Sequence, residues 1–203
     1  MLRIARAAQV RANARMPEGQ TIQVLVNNSD GQSNSYGSHL NFLMSRAALV
    51  DILERRPHHL HFLATHQLSS IVYTGQGKVG AENGRPEVHY QLSQRADFLE
   101  TLVSPQTMVR RPIVNSRDET LCGASQTLAR LHVIFFDNTL CPGASVLKVG
   151  TMQLVLAMLE AEAIDASVAV DDPVAAAVAW SHDPTLATAL LLVDGSRATA
   201  VQV

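Results

Sequence analysis

With 203 residues, 47% of them apolar, the chain is long enough to bury a core and is most simply read as one domain. A formal net charge of -2 and a pI near 6.4 exclude a general nucleic-acid binder, which needs a basic surface. The most apolar stretch, residues 146–159, is broken by Lys148, Gly150 and Gln153 and is shorter than the ~20 residues of a bilayer span, so no membrane partner is expected.

Residues 1–16, MLRIARAAQVRANARM, are rich in arginine and alanine and hold no acid, a composition shared with organellar transit peptides. A plain helix with Leu2, Ala5 and Ala8 or Gln9 along one side, ended by Pro17 and Gly19, accounts for them better. Residues 21–26, TIQVLV, are β-branched and short, which predicts a strand. The chain is organised around the next stretch, residues 27–42, NNSDGQSNSYGSHLNF, a polar loop expected to run into a helix. Asn27, Asn28 and Asp30 tolerate left-handed backbone and cap nearby N–H groups, while Gly31 and Gly37 let the backbone come close to a ligand. That lining suits phosphates, with His39 as a donor or metal ligand. The plainer alternative is a long polar turn whose histidine bonds locally.

Ser45 is placed to cap a helix over SRAALVDILERR, with Leu49, Ile52 and Leu53 as its stripe and Pro57 closing it. A second helix, HHLHFLATHQ, puts Leu60, Leu63, Ala64 and Gln67 on one face and gathers His58, His59, His61 and His66. Their spacing gives no more than a pair of ligands with no acid or cysteine nearby, so a solvated helix start is preferred to a zinc site. Gly75, Gly77 and Gly80 have GxGxxG spacing, but a turn rather than a helix follows them, so a glycine-rich strand and hairpin is expected instead of a dinucleotide fingerprint. Residues 21–26, 71–78, 88–98, 108–114 and 131–136 then predict one mainly antiparallel sheet of an α+β fold.

Within RLHVIFFD, Arg130 and His132 share a face with Ile134 and Phe136, opposite Leu131, Val133 and Phe135. A site at the mouth of the sheet and an edge position open to water both fit that pattern. Arg117 stands beside Asp118 and Glu119, as a surface ion pair or as part of the same site. The helix from about Ala144 is apolar nearly all round and is expected to lie buried across the sheet. A helix-like PVAAAVAW and a hairpin turning at Asp194-Gly195 follow. Cys122 and Cys141, far apart and outside any CxxC spacing, read as reduced thiols of a cytoplasmic protein.

Five blocks in this order, NNSDGQSNSYGSHLNFLMSR, QLSQRADF, RPIVNSRDE, ARLHVIFFD and LKVGTMQLVLAMLE, make the chain resemble the Pup ligase and Pup deamidase/depupylase family of prokaryotic ubiquitin-like protein conjugation. The resemblance implies a glutamine-synthetase-like fold, a curved antiparallel sheet holding ATP and magnesium against helices, of which residues 1–203 form the central part. It implies Asn28, His39, Arg117, Arg130 and His132 as nucleotide contacts, with His39 and His132 near the metal. The arginines suit charge developing on a transferred phosphoryl group. The activity implied is formation or hydrolysis of an isopeptide bond between the C-terminal glutamate of a ubiquitin-like modifier, Pup or a relative, and a protein lysine.

Two departures bear on this. His39-Leu40-Asn41-Phe42 stands where the family reads His-Glu-Asn-Tyr, removing a carboxylate and a phenol. The strand with magnesium-binding glutamates, the loop with the catalytic aspartate and the small C-terminal domain find no counterpart in residues 1–203, so no residue here is assigned the catalytic role. Three readings remain: part of an ATP-dependent ligase or depupylase, a non-catalytic partner of a catalytic paralogue or of the modifier, or a decayed fragment. GSH and LMSR favour the depupylase side, and RRPIVNSRDE and LKVGT the ligase side.

Overall fold

A computed structural model describes residues 2–119 and 125–203, apart from the side chain of Leu2; Cys122 lies outside the described residues. Helix α1 (Leu2–Asn13) forms as the sequence predicts and ends ahead of Pro17. Residues 21–26, by contrast, form no strand. Ile22 exchanges hydrogen bonds with the Asn13 side chain and also receives the Gln9 amide, and Val24 and Leu25 stand exposed. A β-branched run becomes a strand only where a ladder takes its backbone groups, and no described strand pairs with this one.

The polar loop leads into a strand, β1 (Leu40–Ser45), before the expected helix begins. Ser45 does cap that helix: its Oγ accepts from the N–H of Ala48 at 3.3 Å, opening α2 (Arg46–Val50), which continues through a wider turn over Asp51–Arg55. Pro57 then starts α3 (Pro57–Ser69) at the position where a missing N–H does no harm. Leu60, Leu63, Ala64 and Gln67 are buried on one face, as the spacing implied. Two histidines there are not solvated, however: His59 is buried, and burial pushes His66 down to about 4.

Residues 71–78 also depart from expectation. Ile71–Thr74 is a helical turn, α4, because buried Leu68 and Ile71 extend the α3 stripe by one more turn; only Lys78–Gly80 is a strand, β2. It pairs with β3 (Val88–Gln91), after which Ala96–Phe98 turns into β4 (Leu99–Ser104). Next come β5 (Arg111–Asn115), β6 (Leu128–Val133), α5 (Pro142–Glu160), α6 (Pro173–Ser181), β7 (Leu190–Leu191) and β8 (Arg197–Ala198). The fold is α+β. Its described strands form four two-stranded ladders rather than one sheet: β1–β6, β2–β3 and β7–β8 antiparallel, β4–β5 parallel. The Asp194-Gly195 hairpin closes as predicted.

Phe42, Met44, Ala129 and Leu131, alternate residues of β1 and β6, face a core shared with Leu49, Ile52, Leu63, Leu68, Leu156 and Trp180. Helix α5 contributes only one stripe to that core, Lys148, Met152, Leu156 and Leu159. Most of its other apolar residues are in the open, Val146 at 71% and Leu154 at 67% exposure, so the expectation of a helix buried all round is corrected. With 19 residues it is also long and apolar enough to match a membrane span by length and composition alone, a test that core helices pass too. A helix buries no more faces than its neighbours cover, and here they cover one.

Candidate functional site

Antiparallel pairing sets Asn41 opposite His132 and Leu43 opposite Arg130, with these side chains on the face of the ladder away from the core. His39, the last loop residue before β1, joins them: its Nδ1 lies 3.2 Å from Nε2 of His132. One imidazole donates to the other, so the pair shares a single proton between them at neutral pH. Arg130 lies beside them, donating from Nη1 to Asn41 Oδ1 at 3.2 Å and from Nη2 to the Arg117 carbonyl at 3.3 Å. Arg117 pairs with Glu119 at 2.7 Å, as expected, while Asp118 serves Arg46 at 2.6 Å and the Arg130 N–H at 3.1 Å.

Asn28 does a different job. Its side chain accepts from the Asn138 N–H at 2.5 Å and donates to the Asn138 carbonyl at 3.2 Å, tying the loop to the segment after β6. It shares no described contact with the histidines.

Burial holds both imidazoles below their ordinary pKa; nearby Arg95 adds to this at His39, and Arg130, His39 and Arg117 add to it at His132. Both rings are therefore neutral at pH 7. Nδ1 of His132 and Nε of Arg130 are buried and find no partner among the described residues. With His39 Nδ1 donating to His132 Nε2, the proton of His132 sits on Nδ1, and that nitrogen and Arg130 Nε are then two unpartnered donors on one strand face, which fit an anion with several acceptor oxygens, such as a phosphate chain.

Magnesium fits less well. It prefers a shell of oxygens, and here two nitrogens face each other, Asn41 Oδ1 is taken by Arg130, and no group of three or more His, Cys, Asp or Glu side chains among the described residues is placed to hold a metal. Leu40, where the resembled family carries an acid, packs against the core.

What holds His39 in place was not singled out from sequence. Arg95, buried within the QLSQRADF block, donates to the carbonyls of Phe135 at 3.2 Å, Ile134 at 2.7 Å and Tyr36, and to Ser35 Oγ at 3.0 Å. It clamps the loop to the end of β6. Gly37 is required there, because a Cβ would lie 2.5 Å from the Arg95 guanidinium. Burial lowers the Arg95 pKa to about 10, leaving it charged at pH 7. From α5, buried Lys148 donates to Ser38 Oγ at 3.0 Å and to the Asp137 carbonyl at 2.9 Å. Asp137 accepts in turn from Ser93 Oγ and from the N–H groups of Gln76, Gln94 and Arg95. A cation in an apolar helix stripe was the one available signal for Lys148.

A family model described as Pup-ligase protein matches residues 1–203. The chain belongs to that family. A depupylase from Acidothermus cellulolyticus is 44% identical over 97% of the chain, and a Pup–protein ligase from Xylanimonas cellulosilytica is 41% identical over 90% of it. The chain spans 38% of the length of each of these relatives. Among solved structures, the Pup ligase PafA in complex with ADP is 33% identical with a TM-score of 0.69, covering 98% of this chain and 42% of its own. The complex between Pup and PafA matches at 34% identity and the same TM-score of 0.69, covering 98% of this chain and 38% of the other. Relatives named for ligation and for depupylation both match, which fits the mixed motifs of the sequence.

Proposed function

We propose that residues 1–203 form the central part of a glutamine-synthetase-like catalytic domain, working in the cytoplasm on isopeptide bonds between the C-terminal glutamate of Pup, or a related modifier, and protein lysines. ATP is the nucleotide, its phosphates lying against Arg130, Arg117, His39 and His132. The observation that carries this reading is the meeting of His39 and His132 on the face of β1–β6 away from the core, beside an arginine, with unpartnered nitrogens on His132 and Arg130. The likeness to a Pup ligase solved with ADP supports the nucleotide assignment. Magnesium, which the resemblance implies, is not provided for by this chain's own donors, and no step is assigned to it.

The same geometry argues that the chain alone does not turn over. General-base chemistry needs a carboxylate within hydrogen-bond reach of the attacking group, and the nearby acids, Asp118 and Glu119, are paired with Arg46 and Arg117. Lacking a positioned base lowers rate by ~10²–10⁴-fold. Conjugation and deconjugation assays on the purified chain, alone and mixed with a full-length paralogue, test this alongside titration with a fluorescent ATP analogue. Weak nucleotide binding that Arg130→Gln abolishes, with no turnover by the chain alone, is expected. Robust ATP-dependent turnover by the chain alone would overturn it.

The exposed apolar face of α5 and the open edges of the two-stranded ladders favour a second reading, a non-catalytic subunit seated on a catalytic paralogue. Stimulation of the paralogue by the chain, undiminished in Arg130→Gln, would select that reading.

A further inference from the structure

Residues 21–26 leave a row of backbone groups unanswered. Side chains of α1 take both groups of Ile22: Asn13 accepts its N–H at 2.6 Å, and Asn13 and Gln9 donate to its carbonyl. Beyond it, the N–H and C=O groups of Gln23, Val24, Leu25 and Val26 find no partner among the described residues. Their side chains stand in the open as well, Val24 at 59% and Leu25 at 79% exposure. In an extended chain the backbone groups of alternate residues point to the same edge, so those of Gln23 and Leu25 face away from the edge that α1 holds at Ile22. The segment thus has the composition for a ladder, a free edge, and no described strand beside it.

Charge selects the direction of a partner. At the N-terminal end of the segment, α1 carries Arg3, Arg6 and Arg11, Arg15 follows it, and residues 1–17 hold no acid. At the C-terminal end lie exposed Asp30 and Glu82, which takes the Ser29 hydroxyl. A second copy running antiparallel sets each basic end beside an acidic one, whereas a parallel copy sets one arginine-rich helix against the other. Residues 19–29 hold no charge that opposes the match.

We infer that residues 21–26 are a dimerisation edge, on which a second copy of this chain pairs antiparallel about a two-fold axis near Val24. The contact is isologous, each copy offering Gln23 and Leu25 to Leu25 and Gln23 of the other. It closes on itself, because α1 holds the opposite edge at Ile22. A two-stranded ladder is marginal by itself, so the dimer is weak, half-formed at ~100 μM. The inference stands whether or not the chain binds ATP.

Sedimentation velocity of the whole chain from about 10 μM to about 1 mM tests it, with amide hydrogen exchange followed at both ends of the range. Mass should rise to that of two chains and no further, with the Gln23 and Leu25 amides gaining protection and about 1 M salt weakening the association. Gln23→Pro removes one donor of the ladder at an exposed position and should raise the dissociation constant about tenfold, leaving the melting temperature of the dilute monomer unchanged. Leu154→Glu, on the open face of α5, should leave the association as it is. A monomer throughout, growth past two chains, or a dimer lost in Leu154→Glu and kept in Gln23→Pro would each overturn the assignment.

Discussion

Arg95→Met tests whether the loop carrying His39 is held in place by one buried side chain. Arg95 is 3% exposed, and its guanidinium satisfies three carbonyls and a hydroxyl from both sides of the junction. A hydrogen bond from a charged donor contributes ~1.5–3 kcal/mol, but four bonds from one group are not additive and water can reach the Tyr36 side once the loop loosens. The expected loss is therefore about 3–5 kcal/mol, the range for breaking a buried charged network. In a domain of this size that lowers the melting temperature by roughly 10 °C. Arg95→Lys keeps the charge but covers only part of the fork, and should fall between the two. Gly37→Ala probes the same contact from the loop side, because its methyl would meet the guanidinium at 2.5 Å. Urea unfolding measures the stability, and the imidazole NMR signals report whether His39 still shares a proton with His132. A loss below about 1 kcal/mol with those signals unchanged would refute the clamp.

Acidification should destabilise the fold between pH 6.5 and about 4. His39, His59, His66 and His132 all have folded pKa values lowered by burial, His66 to about 4, so the unfolded chain binds more protons in that window and stability falls with pH by up to ~1.4 kcal/mol per unit per histidine. Urea midpoints measured across the window check this, and His66→Phe should flatten the slope; a midpoint rising on acidification would contradict the sign. On α5, Met152→Ala, at a fully buried position, should lose 2–5 kcal/mol by roughly the usual core penalty, whereas Leu154→Glu, 67% exposed, should change stability by less than ~0.5 kcal/mol. Equal losses at the two positions in thermal melts would mean that the outer face is covered. His132→Ala should weaken binding of the fluorescent ATP analogue as Arg130→Gln does, and an unchanged titration would remove His132 from the phosphate site.

Much of the fold was legible where local chemistry decides. The Ser45 cap, the break in the helix at Pro57, the stripe of Leu60, Leu63 and Ala64, and the Asp194-Gly195 hairpin are set by groups within a few residues of one another. The shared face of Arg130 and His132 follows from strand period, and the five blocks carried the family. Partner-dependent features were not legible. Residues 21–26 have strand-like composition yet no ladder, Ile71–Thr74 stays helical because its apolar residues continue the buried stripe of α3, and the parallel pairing of β4 with β5 had no local signal. The same holds for α5, whose near-uniform apolarity cannot say which face meets the core. The contact of His39 with His132 joins residues 93 apart, and Arg95 reads as an ordinary surface cation until the chain ends it clamps are brought together. Sequence determined the caps, turns, strand faces and family because those depend on neighbours along the chain. Tertiary structure alone decided which strands found partners, which helix face was covered and which buried cation holds the site, because each depends on groups that only folding makes adjacent.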